Sequence, residues 1–241
     1  MNYAQALNER DAAGSQRVRL VTIQTSTSKK TNGRHMPAVP QKYLDRTNAL
    51  LIDRQRVLLG LAGPPGSGKS TLARALQQAL PDVSIVVPMD GFHVANSELR
   101  RLGLEGRKGA PETFDVAGYV ALLRRLRNQH PEETIYAPEF RREIEEPIAG
   151  AIAVQASTRL IITEGNYLLL ESGFWADIAD LLDETWYVDL DAPVRIERLI
   201  HRHVHFGRSP EAAEEWVRFN DEKNAHLVEL TRSRADVVFR W

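Results

Sequence analysis

The sequence predicts an α/β protein of the P-loop NTPase type. The expected architecture is a five-stranded, mainly parallel, doubly wound sheet with helices on both faces and a small hairpin and lid insertion. Three observations carry this. Short apolar runs at 57–61, 84–87, 160–163, 185–190 and 235–239 recur between helical patterns, and that alternation builds a parallel sheet covered on both faces. The first run, Val57-Leu58-Leu59-Gly60-Leu61, has no polar alternation, as a strand buried on both sides requires. Directly after it stands Gly63-Pro-Pro-Gly-Ser-Gly-Lys-Ser70, a glycine-rich turn of the kind that cradles phosphate.

The elements follow in order. Tyr43, Leu44, Ala49, Leu50 and Leu51 fall near helical spacing and give a lead-in helix from about Gln41. Leu72, Leu76 and Leu80 mark a helix over 71–80 that Pro81 ends. The second strand, 84–87, runs into Met89-Asp90-Gly91-Phe92-His93, and residues 95–114 read as an irregular loop. Asp115 is placed to cap a helix reaching about Gln129, with Val116, Tyr119, Val120, Leu123 and Leu126 inward. Residues 134–154 alternate more than they wind, which predicts a hairpin with Pro138 at its edge. Strands at 160–163 and 185–190 follow, then a basic lid helix within 194–208. Ser209-Pro210 starts a long helix to about Arg234, ahead of the last strand. Trp216, Phe219, Leu227 and Leu230 are expected to form its core face.

Composition narrows the function classes. The 241 residues are 43% hydrophobic and 26% charged, with a formal net charge of −1. This gives no global field for nucleic acid or an anionic membrane. No apolar run approaches the ~20 residues of a membrane span. The absence of cysteine excludes disulfides and thiol catalysis and agrees with a cytoplasmic setting. From Ala12 to Leu44 there is no Asp or Glu, while six basic residues and many Ser and Thr occur. Residues 1–40 are therefore expected to be a disordered extension. An organelle targeting segment, or a true start at Met36, are the alternatives. Residues 41–241 form the expected catalytic domain, with 134–154 as a substrate cap.

Glycines at 63, 66 and 68 let backbone amides approach phosphate oxygens at a helix N-terminus. Gly63, Pro64, Pro65, Gly66, Ser67, Gly68, Lys69, Ser70 and Thr71 are the expected nucleotide-binding set. Lys69 reaches the β- and γ-phosphates, and Ser70 is a ligand for Mg²⁺. Glu164 ends an apolar strand, where it would hold the metal or its water. Asp189 and Asp191 are its rivals. Asp90 also ends a strand and is the expected base for a hydroxyl. Arg195, Arg198 and Arg202 share one helical stripe and could neutralise transferring charge or form a solvated basic face. His201, His203 and His205 alternate on a helix, so they point apart and do not suit a shared metal. Asn220 and Asn224 could present amides to a polar substrate.

Together, the glycine-rich loop, Asp90-Gly-Phe-His93, Lys108-Gly-Ala-Pro-Glu-Thr-Phe-Asp115, Thr163-Glu-Gly-Asn-Tyr-Leu-Leu-Leu170 and Arg198-Leu-Ile-x-Arg202-His203 resemble the uridine kinase, phosphoribulokinase and type I pantothenate kinase superfamily. Within it the likeness is to bacterial nucleoside/nucleotide kinase-like proteins labelled as fructose-transport kinases. It spans roughly residues 43–241. The resemblance implies an ATP- and Mg²⁺-dependent kinase acting on a small-molecule hydroxyl, with Asp90 as base and Glu164 beside the metal. It places Arg198 and Arg202 on a lid over the phosphates. It also implies His93, Lys108, Arg107, Arg141 and Tyr167 on the substrate side. His93 stands where many uridine kinases have tyrosine, which argues against a nucleoside. A homodimer is left open, and neither nucleic acid nor membrane is expected as a partner. The competing reading is a P-loop ATPase or nucleotide-dependent regulator without an acceptor, although no Asn-Lys-x-Asp or Leu-Ser-Gly-Gly-Gln signature is present.

Overall fold

Strand β3 explains why the sheet is two-sided. Its residues Val57–Ala62 are all buried, and successive side chains leave a strand on opposite faces. Leu58 and Ala62 join one apolar cluster, while Val57, Leu59 and Leu61 join another. The computed structural model describes residues 4–10, 16–22 and 37–241, and the chain divides into units Met1–His35 and Met36–Trp241. In the first unit, β1 (Ala4–Arg10) pairs antiparallel with β2 (Gln16–Thr22). These two strands lie in the stretch 1–40 that the sequence sets apart from the catalytic domain. The rest of the expected extension as far as residue 36 lies outside the described residues.

The second unit follows the predicted order. Helix α1 (Gln41–Leu50) leads to β3, and α2 (Lys69–Ala79) to β4 (Ser84–Pro88). Helices α3 (Asn96–Leu102) and α4 (Val116–Arg127) precede the hairpin β5 (Thr134–Arg141) and β6 (Glu146–Gln155). Then come β7 (Leu160–Gly165), α5 (Ala176–Ala179), β8 (Glu184–Asp189) and α6 (Ala192–His205). The chain ends with α7 (Pro210–Trp216), a π turn at Val217–Asp221, α8 (Glu222–Glu229) and β9 (Val237–Arg240). The main sheet has five strands in the order β4-β7-β3-β8-β9, all parallel. Tyr43 of α1 and Leu72, Ala73 and Leu76 of α2 pack on one face. Tyr119, Val120, Leu123 and Leu126 of α4, Ile178 of α5 and Val228 of α8 pack on the other.

Three local expectations are corrected. Residues 96–102, read as loop, form helix α3. Its first amide is capped from a distance: Asn96 N donates to the Glu146 carboxylate at 3.1 and 3.2 Å. The long last helix is interrupted by the π turn, and its buried face is not the one expected. Phe219 and Leu230 are exposed, whereas Val217, Asp221, Asn224, Ala225 and Val228 are buried. Asp221 and Asn224 go inward because each finds a polar partner there. The caps themselves form as read, with Asp115 accepting from Gly118 N and Ser209 from Ala212 N.

Candidate active site

Strand register sets the site. Pro88 of β4 and Leu61 of β3 both pair with Glu164 of β7, so the turn after β3, Asp90 and Glu164 emerge at one carboxyl edge. Ligands of open parallel sheets bind there. The turn at 63–68 is tightly backed. A Cβ on Gly66, whose φ is +80°, would lie 2.9 Å from both Arg195 O and Leu199 Cγ of α6. The buried Ser67 hydroxyl has no hydrogen-bond partner among the described residues.

Lys69 is buried, and its ammonium donates to Gly63 O at 2.8 Å, Pro64 O at 3.0 Å and Asn166 Oδ1 at 2.8 Å. Desolvation lowers its pKa to about 8, against the opposing pull of Glu164 and Asp90. All three partners are neutral oxygens, so the charge is available to an anion. The Ser70 hydroxyl donates to Glu164 Oε1 at 2.8 Å. Glu164 titrates above the usual carboxylate range, first because it is desolvated and then because Asp90 is negative. Asp90 behaves oppositely. Burial acts to raise it, but His93, Arg142, Lys69 and Arg202 together outweigh burial and hold it low. Two neighbouring carboxyls driven apart in this way suit different roles. The set fits the groups it was expected to hold, with an amide-lined turn and a lysine for phosphates and a serine–carboxylate pair for Mg²⁺.

The remaining candidates separate into those that converge and those that do not. His93 Nδ1 donates to the Asp90 carbonyl at 2.7 Å. Its pKa is lowered, chiefly by burial. The His93 ring packs on Phe114 and Phe140 at 4.1 and 4.6 Å between centroids. Lys108 donates to Asn96 Oδ1 and to the Glu145 carbonyl. Tyr167 and Asn224 both donate to Gly109 O, at 2.6 and 3.3 Å, so they fix the loop that carries Lys108. Arg202 lies among Arg142, Asp221 and Asp90. Arg198 is on the exposed side, its Nη1 3.8 Å from where a Cβ on Gly68 would stand. Arg195 instead turns inward behind the loop, 2.7 Å from Glu222.

Arg141 pairs with Glu139 at 2.8 Å on the exposed edge of the hairpin. The next residue, Arg142, is the one that reaches Asp90, at 3.3 Å. Sequence reasoning also passed over Asn166, the side-chain partner of Lys69, and Asp221, which meets His203 Nε2 at 2.8 Å. Asn166 could have been found from its place two residues beyond Glu164. Asp189, the rival of Glu164, is occupied by Arg232 and Arg240.

This edge, with a phosphate-cradling turn, a buried lysine and two carboxyls, defines a P-loop phosphotransferase. The Phosphoribulokinase / Uridine kinase family matches residues 58–241, and the chain belongs to that family. It is 37% identical over 207 residues to a candidate uridine kinase of Schizosaccharomyces pombe, covering 81% of this chain and 88% of that one. It is 27% identical over 209 residues to a pantothenate kinase of Lactococcus lactis, covering 76% and 67%. A crystal structure of a candidate fructose transport system kinase from Silicibacter sp. TM1040 superposes with a TM-score of 0.74 at 35% identity, covering 84% of this chain and all of that one. The chain is thus an ATP-dependent phosphotransferase with a hydroxyl acceptor, and its acceptor is a small molecule. No helix among the described residues is long and apolar enough to cross a membrane.

Proposed function

We propose that Asp90 is the base of this kinase and that the β3–α2 turn with Lys69 holds the nucleotide phosphates. The observation that carries the reading is the convergence at one sheet edge of the glycine-rich turn with its buried Lys69, the Ser70–Glu164 hydrogen bond and the Asp90 carboxylate. Asp90, held ionised, accepts the proton of the acceptor hydroxyl. The hydroxyl oxygen forms its bond to the γ-phosphorus as the bond to the β,γ-bridging oxygen breaks, and ADP leaves with that electron pair. Lys69 and the amides of the turn take up the phosphate charge. Ser70 and Glu164 would hold Mg²⁺, which would supply charge neutralisation for the phosphates. Arg202 and Arg198 add positive charge from α6, while Tyr167 and Asn224 act at a remove by fixing the Lys108 loop.

The test is Asp90→Asn, assayed for ADP release across sugars, hydroxy acids and vitamin alcohols, alongside titration with a non-hydrolysable ATP analogue. The variant should bind the analogue like the parent chain while turnover falls by ~10²- to 10⁴-fold, the usual range for losing a general base. Undiminished transfer would remove Asp90 from that role. ADP release that no acceptor stimulates would favour an ATPase instead.

A further inference from the structure

The acceptor side of the site holds more positive charge than proton removal needs. Arg142, at the hairpin turn, has Asp90 Oδ2 as its polar partner at 3.3 Å, and its side chain is only 36% exposed. A guanidinium carries five N–H donors, so this long contact leaves most of them free. Lys108 approaches from the opposite loop. Its ammonium lies 5.2 Å from the Phe140 ring centre, and the Arg142 guanidinium carbon lies 5.9 Å from the same point. Both oxygens that accept from Lys108 are neutral, Asn96 Oδ1 and the Glu145 carbonyl. The nearby Glu146 carboxylate is committed to the α3 amide. Neither acid therefore neutralises Lys108 by direct contact, and one of its three donors is unused.

The mounting of these cations is deliberate in a physical sense. Glu145 adopts a φ of +52°, a costly conformation for a residue with a Cβ. That backbone turns its carbonyl toward both Lys108 and Asn96 Nδ2. The loop and the hairpin are thereby stitched together around His93, Phe114 and Phe140. Both cations lie close enough to depress the His93 pKa. The result is a short aromatic wall with two positive groups near its Phe140 ring, one of them in contact with Asp90.

We infer that the acceptor is an anionic hydroxy compound, its carboxylate or phosphate held between Arg142 and Lys108 while its hydroxyl faces Asp90. This rests on the kinase reading above and narrows the substrate class. A neutral sugar or nucleoside would leave the unused N–H donors of Arg142 and Lys108 without an anionic acceptor, and so would forgo the charge-assisted bonds that these two cations offer. Arg142 has a second task in the free protein, keeping Asp90 ionised until the anion takes its place.

The full-length chain with Mg²⁺ and ATP is to be assayed for ADP release on matched pairs: glycerate and glycerol, pantothenate and pantothenyl alcohol, ribose 5-phosphate and ribose. Binding of each anion to the chain saturated with a non-hydrolysable ATP analogue is measured by calorimetry. We expect at least one anionic member to exceed its neutral partner by ~10-fold or more in kcat/KM, and the pairs separate carboxylate from phosphate. Arg142→Gln and Lys108→Gln should each raise the acceptor KM by ~10- to 100-fold, the scale of a lost charge-assisted bond, with the ATP KM within twofold. A better neutral acceptor overturns the inference while leaving the kinase intact, and so does a charge preference unmoved by either variant. Anion binding that both variants abolish, without ADP formation on any acceptor, supports the site and instead counts against the kinase. Absence of both binding and turnover for every anion overturns it.

Discussion

The two halves of the site are built on opposite plans. The phosphate half is largely contiguous: the turn at 63–68, Lys69 and Ser70 follow one strand, joined by Glu164 and Asn166 at the end of β7 and by the arginines of α6. The acceptor half is assembled from Asp90 and His93, Lys108, Arg142, Tyr167 and Asn224, and its bonds span gaps such as the 52 residues between Asp90 and Arg142 and the 115 between Gly109 and Asn224. The first half depends on backbone geometry at a sheet edge, where the chemistry is the same for any ATP user. The second depends on how loop, hairpin and last helix meet, and on the proposed reading that is where an acceptor would be distinguished.

If the division is real, damage to each half should be separable. Lys69→Ala strikes the phosphate half and should have the largest effect, lowering kcat/KM by about 10³-fold, as expected for losing a preorganised charge. Circular dichroism should show the fold intact. A normal kcat/KM in that variant would break the assignment of the β3–α2 turn.

Gly91→Ala should do the reverse. Gly91 is buried, and a Cβ there would lie 2.4 Å from the Pro138 carbonyl oxygen and 2.8 Å from its carbon. Both are backbone atoms, so the hairpin must move away. Overpacking of this sort costs about 1–3 kcal/mol. We expect the acceptor KM to rise by up to ~100-fold and the melting temperature to fall, with affinity for an ATP analogue within twofold. Equal losses on both substrates would show that the halves are not separate.

The same contrast explains what was legible in the sequence. Glycine spacing, a strand before it and a helix after it are local, so residues 63–71 could be read directly. The placement of Asp90 and Glu164 at the sheet edge was legible because Glu164 lies at the end of an apolar strand and Asp90 in the short turn directly after one. The acceptor half was not, for reasons visible at single residues. Helix α3 is short, buries only Leu99 and is capped by Glu146, 50 residues away, so no periodicity announces it. The register shift between Ala137 and Glu139 breaks the alternation that would tell which hairpin arginine faces inward. Arg141 and Arg142 could therefore not be told apart. The π turn shifts the phase of the last helix, and its buried face includes Asp221 and Asn224, chosen by their partners rather than by apolarity.

A smaller effect sharpens the account of the phosphate half. The free protein holds Lys69 with a pKa lowered to about 8, by desolvation first. Bound phosphates favour the charged ammonium, so above pH 8 binding must take up a proton, and affinity falls as pH rises. At pH 9 about one molecule in ten keeps the charge, which predicts a Kd for an ATP analogue ~10-fold weaker than at pH 7. Calorimetry at pH 7, 8 and 9 in buffers of different ionisation heat reads both the affinity and the proton. A Kd that is flat across that range would mean that Lys69 is not the group meeting the phosphates.

The smallest expected change tests whether the acceptor loop is held from behind. Tyr167 is fully buried and packs edge-on against Phe114 and Trp175. Its hydroxyl donates to Gly109 O at 2.6 Å, one residue from Lys108. Tyr167→Phe keeps the ring and removes that bond, but Asn224 still donates to the same carbonyl, so the oxygen is not orphaned. The cost should be about 1 kcal/mol, read as a ~5-fold rise in acceptor KM with kcat and ATP KM unchanged. Tyr167→Phe combined with Asn224→Ala leaves the carbonyl without either donor and should cost more than the two single changes added. Strict additivity would mean that the two residues do not share the task of holding Lys108 in place.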